Sequence, residues 1–275
     1  MNPSAPEPIE IDQAVSDQPD ASETKETDTP LVLPCRTIHW TAPFRWLALG
    51  FQDYRQTPGL SLLFGIVIVL VSAVVSALAW QLGRFALLAA LLSGFVFIAP
   101  LIGVGLYSVS RARLAGRRPH LAESFSLARR VVGHAGVFAL LQLVIIMIWS
   151  RSGMMVTAFV PVADGDTAAL LEYLAIGSAI GSLFAALTFA MSAFSLPLIA
   201  DRDIDMITAC LSSINAVLRN KPAALVWAGL IAVLTAVGFA TALLGLGLIM
   251  PWLAYATFHG YRAVFDTTEP SSPTV

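Results

Sequence analysis

Five stretches with almost no charge dominate this chain, at about 59–80, 85–108, 131–149, 171–199 and 223–265. A bilayer core about 30 Å thick is crossed by roughly 20 apolar residues in helical form. Only helices and closed barrels satisfy their own backbone in lipid. These runs are continuous, without the alternation of a barrel strand, so the expected fold is all-α, a polytopic membrane helix bundle. Composition agrees, with 57% hydrophobic residues, 12% charged residues and a mean hydropathy of +0.76. A net charge of -2 removes the basic excess of a nucleic-acid binder.

The last run is 43 residues long, with Arg262 its only charged residue. As one helix it would reach about 65 Å at 1.5 Å per residue, twice the need of one crossing. The Gly-rich stretch 241–247 is the natural place to divide it, into 223–242 and 246–265. Six spans result. Orientation follows from Lys and Arg, which favour the cytoplasmic side. With both termini inside, 14 of the 16 basic residues fall on the inner side and only Arg84 and Arg151 outside. The densest group is the loop carrying Arg111, Arg113, Arg117, Arg118, Arg129 and Arg130. In the third span, Trp149 is followed by Ser150-Arg151-Ser152 and a second apolar stretch, 153–163, expected at the outer interface unless the span runs on to Val160.

Outside the spans the chain is simple. Residues 1–35 form an acidic tail expected to be disordered and cytoplasmic, because the first 30 are rich in Pro, Glu, Asp, Ser and Thr and contain no aromatic residue. No basic start followed by an apolar core precedes Gly59, so the expectation is a retained N-terminus. The membrane domain covers about 40–265, and the polar residues 266–275 form a second unstructured tail. Cys35 and Cys210 show no pairing pattern and read as free thiols.

A short amphipathic segment precedes each odd-numbered span. In the first, Phe44, Leu47, Phe51 and Tyr54 share a face opposite Arg45, Gln52 and Arg55. The second aligns Leu121, Phe125, Ala128 and Val132, and the third aligns Ile204, Ile207, Leu211, Ile214 and Leu218. Such stripes suit helices lying at the bilayer interface. Each even-numbered span carries a proline, Pro100, Pro197 or Pro251. Three units of surface helix plus hairpin, at about 43–113, 119–202 and 203–265, are therefore expected as an internal repeat.

Candidate chemistry is thin. Of four histidines, His134 and His259 alone fall near helix ends, where a bis-imidazole cofactor site is conceivable, but interfacial histidines are commoner than haem ligands. Ionisable residues at depth, the usual mark of proton or ion transport, are essentially missing from the spans, and Gln142 is the main polar side chain there. The cluster Asp201, Arg202, Asp203 and Asp205 could serve a metal or general acid, yet Asp203 as a helix cap is the simpler account. Gly177, Gly181 and Ala185 give span four a small-residue face suited to close helix packing. No nucleophile elbow, phosphate-binding Gly loop or zinc motif occurs. No cofactor and no metal site is expected.

The stretch 194–219, FSLPLIADRDIDMITACLSSINAVLR, and the closing GLIMPWLAYATFHGYR at 247–262, resemble the bacterial predicted integral membrane family known as domain of unknown function 2189. The opening pattern Trp46-x3-Gly50-x2-Asp53-x4-Pro58 is also similar to that family's start. The resemblance implies a bacterial inner-membrane protein with six spans and implies no activity. The closing motif of the family often has His where this chain has Tyr255. Some members carry the label of cytochrome oxidase subunit I, which needs about twice the spans and six histidine ligands within the bundle; four histidines, none at depth, do not meet that requirement.

The reading that follows is a non-enzymatic inner-membrane scaffold, assembly or interaction protein whose partners are membrane lipids and another membrane protein, with no nucleic acid. A transporter or lipid-handling protein is the alternative, since proline-broken spans can line a cavity. A haem-binding redox protein is the third. Sequence does not give the oligomeric state.

Overall fold

The computed structural model describes residues 31–82, 103–159, 166–202 and 204–265. Among them every regular element is helical. The helices are α1 (Ala42–Gln56), α2 (Pro58–Leu82), α3 (described over 103–114), α4 (Leu121–Phe159), α5 (Thr167–Ser192), α6 (Ser195–Arg202), α7 (Met206–Arg219), α8 (Lys221–Ala240) and α9 (Leu246–Phe265).

Among the described residues, four segments are long and apolar enough to cross a membrane: Pro58–Leu78, Leu121–Val156, Thr167–Arg202 and Lys221–Ala240. The expected span at 85–108 lies mostly outside the described residues, and so does Pro100. The expected last crossing, 246–265, is α9, and it does not reach the apolar character of the other four. Pro251, Tyr255, His259, Tyr261 and Arg262 dilute it, and the reason is its position. The helix is enclosed by protein along most of its length, with Tyr255, Ala256, Phe258, Tyr261, Val264 and Phe265 all buried. A helix wrapped by its neighbours needs partners for polar groups more than it needs affinity for lipid.

The division of the long 223–265 run falls where the sequence places it. Helix α8 ends at Ala240, residues 241–245 turn, and α9 starts at Leu246. Thr241 Oγ1 donates to the Gly238 carbonyl at 2.9 Å and accepts the Gly245 amide at 2.9 Å, which pins the turn. Ala242 and Leu243 take positive φ values of 50° and 72° to complete it.

Two expectations fail in the middle of the chain. The second amphipathic segment is no separate surface helix: it runs without a break into the third span as the 39-residue α4. The same helix continues through Ser150-Arg151-Ser152 to Phe159, so the 153–159 stretch continues the helix of the span and is not a separate segment. Ser152 Oγ donates back to the Ile148 carbonyl at 2.9 Å, which lets a polar residue stay helical. With the second surface helix absorbed, the described residues do not form three units of surface helix plus hairpin.

The other two amphipathic segments do form short helices, turned differently from the expected stripes. In α1 the buried face is Trp46, Leu47, Gly50 and Asp53, while Phe44 and Phe51 are exposed. In α7 the inward residues are Ala209, Ser212, Ser213 and Ala216, while Ile207 and Leu218 point out. Close contact with other helices selects small or hydrogen-bonded residues, and the large apolar ones are left for the surroundings. Ser213 bridges the kink between α5 and α6, accepting the Phe194 amide at 3.1 Å and donating to the Ala190 carbonyl at 2.7 Å. The break therefore sits at Ala193–Phe194, and Pro197 follows it in the first turn of α6, where a missing N–H costs little.

Residues 31–41 run as a strap over α7 and the end of α9. The Leu33 amide donates to Ser212 Oγ at 2.9 Å, Ile38 N–H to Asn220 Oδ1 at 2.7 Å, and Arg36 N–H to the Val264 carbonyl at 2.8 Å. Beneath lies an aromatic core. Trp46 meets Trp227 edge-on at 5.6 Å and Phe194 at 6.2 Å, and Phe194 in turn meets Phe265 at 6.1 Å.

Candidate polar site where helices one, three and nine meet

Helices α1 and α9 cross at Gly50 and Ala256. A Cβ added to Gly50 would lie 2.6 Å from the Ala256 backbone nitrogen, and one added to Gly260 would lie 2.8 Å from the Trp46 ring. Only glycine allows this approach, and it brings Asp53, one turn further along α1, to His259 of α9. His259 Nε2 lies 2.8 Å from Asp53 Oδ2. A carboxylate can only accept, so Nε2 carries the proton between them. Ser110 of α3 donates to the same oxygen at 2.7 Å, and Arg113 Nε donates to Oδ1 at 2.8 Å. Arg113 also reaches Gln56 through Nη2.

Asp53 is thus buried and fully partnered. Burial pushes its carboxyl up, but the hydrogen bonds from His259 and Ser110, the His259 charge and the Arg113 bond outweigh that and hold it below the usual carboxylate range. Beside it a line of hydroxyls follows α2. Thr57 Oγ1 donates to the Asp53 carbonyl at 2.8 Å, Ser61 Oγ to the Thr57 carbonyl at 2.8 Å, and Tyr255 OH meets Ser61 Oγ at 2.9 Å. Tyr255 is therefore part of this packing. Further along, α2 and α9 touch backbone to backbone: a Cβ on Gly65 would lie 2.1 Å from the Gly247 carbonyl oxygen. Pro251 has no N–H for that carbonyl, so the oxygen that the proline frees faces Gly65.

A second polar cluster closes the end of α9. Tyr261 OH donates to Asp201 Oδ2 at 2.7 Å, and Arg262 Nη1 lies 3.5 Å from the same oxygen. Arg202 Nε donates to Tyr261 OH at 3.1 Å and its Nη2 to the Phe265 carbonyl at 2.8 Å. The carbonyls at the end of a helix have no partner within it, and Arg202 supplies one. The cap expected of Asp203 is supplied instead by Asp205, which directly precedes α7: its carboxylate accepts the Thr208 amide at 2.9 Å, and hydrogen bonds from the Thr208 hydroxyl and amide lower its pKa. Asp203 lies outside the described residues.

The remaining sequence candidates are scattered. His134 is half-buried on α4, and His259 commits Nε2 to Asp53. The small-residue face of span four is not a close-packing face among the described residues. A Cβ on Gly177 would meet nothing within 4 Å, one on Gly181 only the Trp149 indole nitrogen at 3.7 Å, and Ala185 is exposed. Close packing occurs instead at Gly50, Gly65, Gly247 and Gly260. Of the loop arginines, Arg113 is the Asp53 partner and Arg111 Nη1 lies 3.4 Å from the Ala200 carbonyl. Arg117 pairs with Glu123 at 2.8 Å on the surface, and Arg118, Arg129 and Arg130 are exposed. Among the described residues no group of three or more His, Cys, Asp or Glu could hold a metal ion.

Sequence reasoning treated Arg113 as a topology marker and passed over Asp53 and Ser110 as site residues. The signal was present in the opening Trp46-x3-Gly50-x2-Asp53, whose spacing sets all three on one helical face.

No curated protein and no solved structure matches the chain. Residues 87–201, from before α3 to the end of α6, match the model of the family described as a predicted integral membrane protein, domain of unknown function 2189, the family that the sequence resembles.

Proposed function

We propose that this is a non-enzymatic multi-pass protein of the bacterial inner membrane, a scaffold or assembly partner for another membrane component. The supporting observation is the saturation of a buried ionised group, Asp53. Both oxygens of Asp53 are taken by Ser110, Arg113 and His259 from two other helices. An acid–base catalyst or an ion-coupled carrier needs a group able to exchange its partners. Asp53 acts instead as a clasp, and the long faces of α4 and α5 carry large apolar side chains outward, among them Leu140, Val144, Met147, Leu171, Leu174 and Leu183.

In this reading six spans place both termini in the cytoplasm. Arg113, Arg111, Arg202 and Arg262, assigned to the inner side by charge counting, bind Asp53, the Ala200 carbonyl, Tyr261 and Asp201. These groups cluster at one end of α9, which supports a common side for them. Helix α9 follows α8 through a tight turn and packs back along it, which supports a return crossing despite its modest apolarity.

The test is extraction of the tagged, full-length protein from its native membrane in mild detergent, followed by mass spectrometry of what stays bound. A stoichiometric protein partner is expected. A solitary protein that retains a defined small solute or transports one after reconstitution would overturn the scaffold reading in favour of transport.

A further inference from the structure

Most of the outward side of α1 serves neither the core nor the Asp53 clasp. Away from the buried line of Trp46, Gly50 and Asp53 stand Arg45, Ala48, Gln52 and Arg55, all exposed, with Gln56, the acceptor of Arg113, at the end of the helix. Along one edge of this polar strip run the exposed aromatics Phe44 and Phe51, with Trp40 just before the helix. Ala48, Phe51, Gln52, Arg55 and Gln56 line an open groove of about 500 Å³. The only acid on α1 is Asp53, which is buried and neutralised by Arg113, so the groove presents positive charge alone.

Its depth is set by covalent connection. Helix α1 ends at Gln56 and the first membrane-crossing segment starts at Pro58, with Thr57 the one residue between. Arg55, Gln52 and Gln56 therefore stand within about a turn of the point where the chain enters the bilayer, at the level of the headgroups. Aromatic side chains favour this level, and an arginine there meets lipid phosphates. A guanidinium offers paired donors that match a phosphate, and neighbouring amides can add further bonds.

We propose that this face of α1 is a binding site for the headgroup of an anionic phospholipid. Arg55 holds the phosphodiester, Gln52 donates to its oxygens or to the glycerol, and Arg45 adds charge from one end of the groove. Phe44 and Phe51 lie against the upper acyl chains. The proposal rests on α2 as a membrane span and not on the scaffold reading, so failure of one leaves the other standing.

The experiment is native mass spectrometry of the full-length protein from detergent, delipidated and titrated with phosphatidylglycerol or with phosphatidylcholine of the same chains. The wild type should retain phosphatidylglycerol in preference to phosphatidylcholine. Arg55→Gln should weaken phosphatidylglycerol retention about fivefold, in line with one arginine at a lipid surface, and leave phosphatidylcholine unchanged. Arg118→Gln, which removes an exposed arginine far along the chain, should bind as wild type. Equal retention of both lipids by the wild type, or an unchanged affinity in Arg55→Gln, would overturn the site. So would equal losses in Arg55→Gln and Arg118→Gln, since that pattern means attraction to overall charge. Arg55 is exposed, and an unchanged elution profile and thermal transition will show that its replacement leaves the fold intact.

Discussion

Asp53 and His259 lie 206 positions apart in sequence and 2.8 Å apart in space. Their contact ties a short helix ahead of the first span to the last helix of the chain, and Arg113 and Ser110 add α3 to the same knot. Removing one member of a buried, charge-assisted group leaves the others unpaired. Arg113 is a quarter exposed and can turn to water, which softens the loss. Asp53→Ala should cost about 2–3 kcal/mol, a fall of roughly 5–10 °C in the thermal transition in detergent. An unchanged transition would mean that the clasp contributes nothing to holding the helices.

The same carboxylate gives a pH dependence with a definite sign. Its pKa is lower in the folded protein than the ordinary value. Its stabilisation is therefore complete above the unfolded value, about pH 4, and is lost as pH falls through the folded value. The difference in transition temperature between wild type and Asp53→Asn should shrink as pH falls from about 4 toward 3. A difference that grows over that interval would contradict the assignment.

Glycine positions separate helices that touch from a helix face that does not. Gly65→Ala sets a methyl against the Gly247 carbonyl, and backbone cannot swing aside, so about 1–3 kcal/mol should be lost. Gly177→Ala meets no atom and gains helix propensity, so it should be neutral or stabilising by up to about 1 kcal/mol. Thermal transitions of the two variants, measured in one detergent, decide the matter. Equal effects would show that the close packing lies elsewhere.

In the turn between α8 and α9, Ala242 is exposed and held at a φ of 50°. Left-handed backbone costs a residue with a Cβ about 1 kcal/mol, and glycine avoids this. Ala242→Gly should therefore raise the thermal transition by a few degrees. A decrease would indicate that entropy gained by the unfolded chain outweighs the relief of strain.

Orientation can be read with single cysteines. The native Cys35 and Cys210 are both buried, which keeps the background low. With both termini inside, a membrane-impermeant maleimide should label Arg118→Cys only after the cells are permeabilised. It should label Asp166→Cys, at the start of α5, in intact cells. The reverse pattern would invert the topology.

Much of this architecture could be read from hydropathy, because the free-energy difference between lipid and water acts on each run of some 20 residues without reference to the rest of the chain. The runs that became α2, α4, α5 and α8 and the division of the 223–265 stretch were legible for that reason. The amphipathic stripes misled for a related reason. A helical wheel for α1 or α7 tells which residues share a face, but not whether that face meets protein or lipid, and in a membrane the large apolar side chains often belong outside. In α7 it is Ser212 and Ser213, bonded to the strap and to the α5–α6 kink, that turn inward.

The sequence by itself therefore determined a helical membrane protein, its main apolar segments and the resemblance to a family of unknown function. Tertiary structure alone decided that α9 is enclosed, that α4 is one helix, and that Asp53, Ser110, Arg113 and His259 form one group. The physical reason is range. Transfer to lipid is a local property summed along the chain, whereas the crossing of α1 and α9 depends on the absence of a Cβ at Gly50 and Gly260 and on donors from two separate helices arriving at one carboxylate of a third.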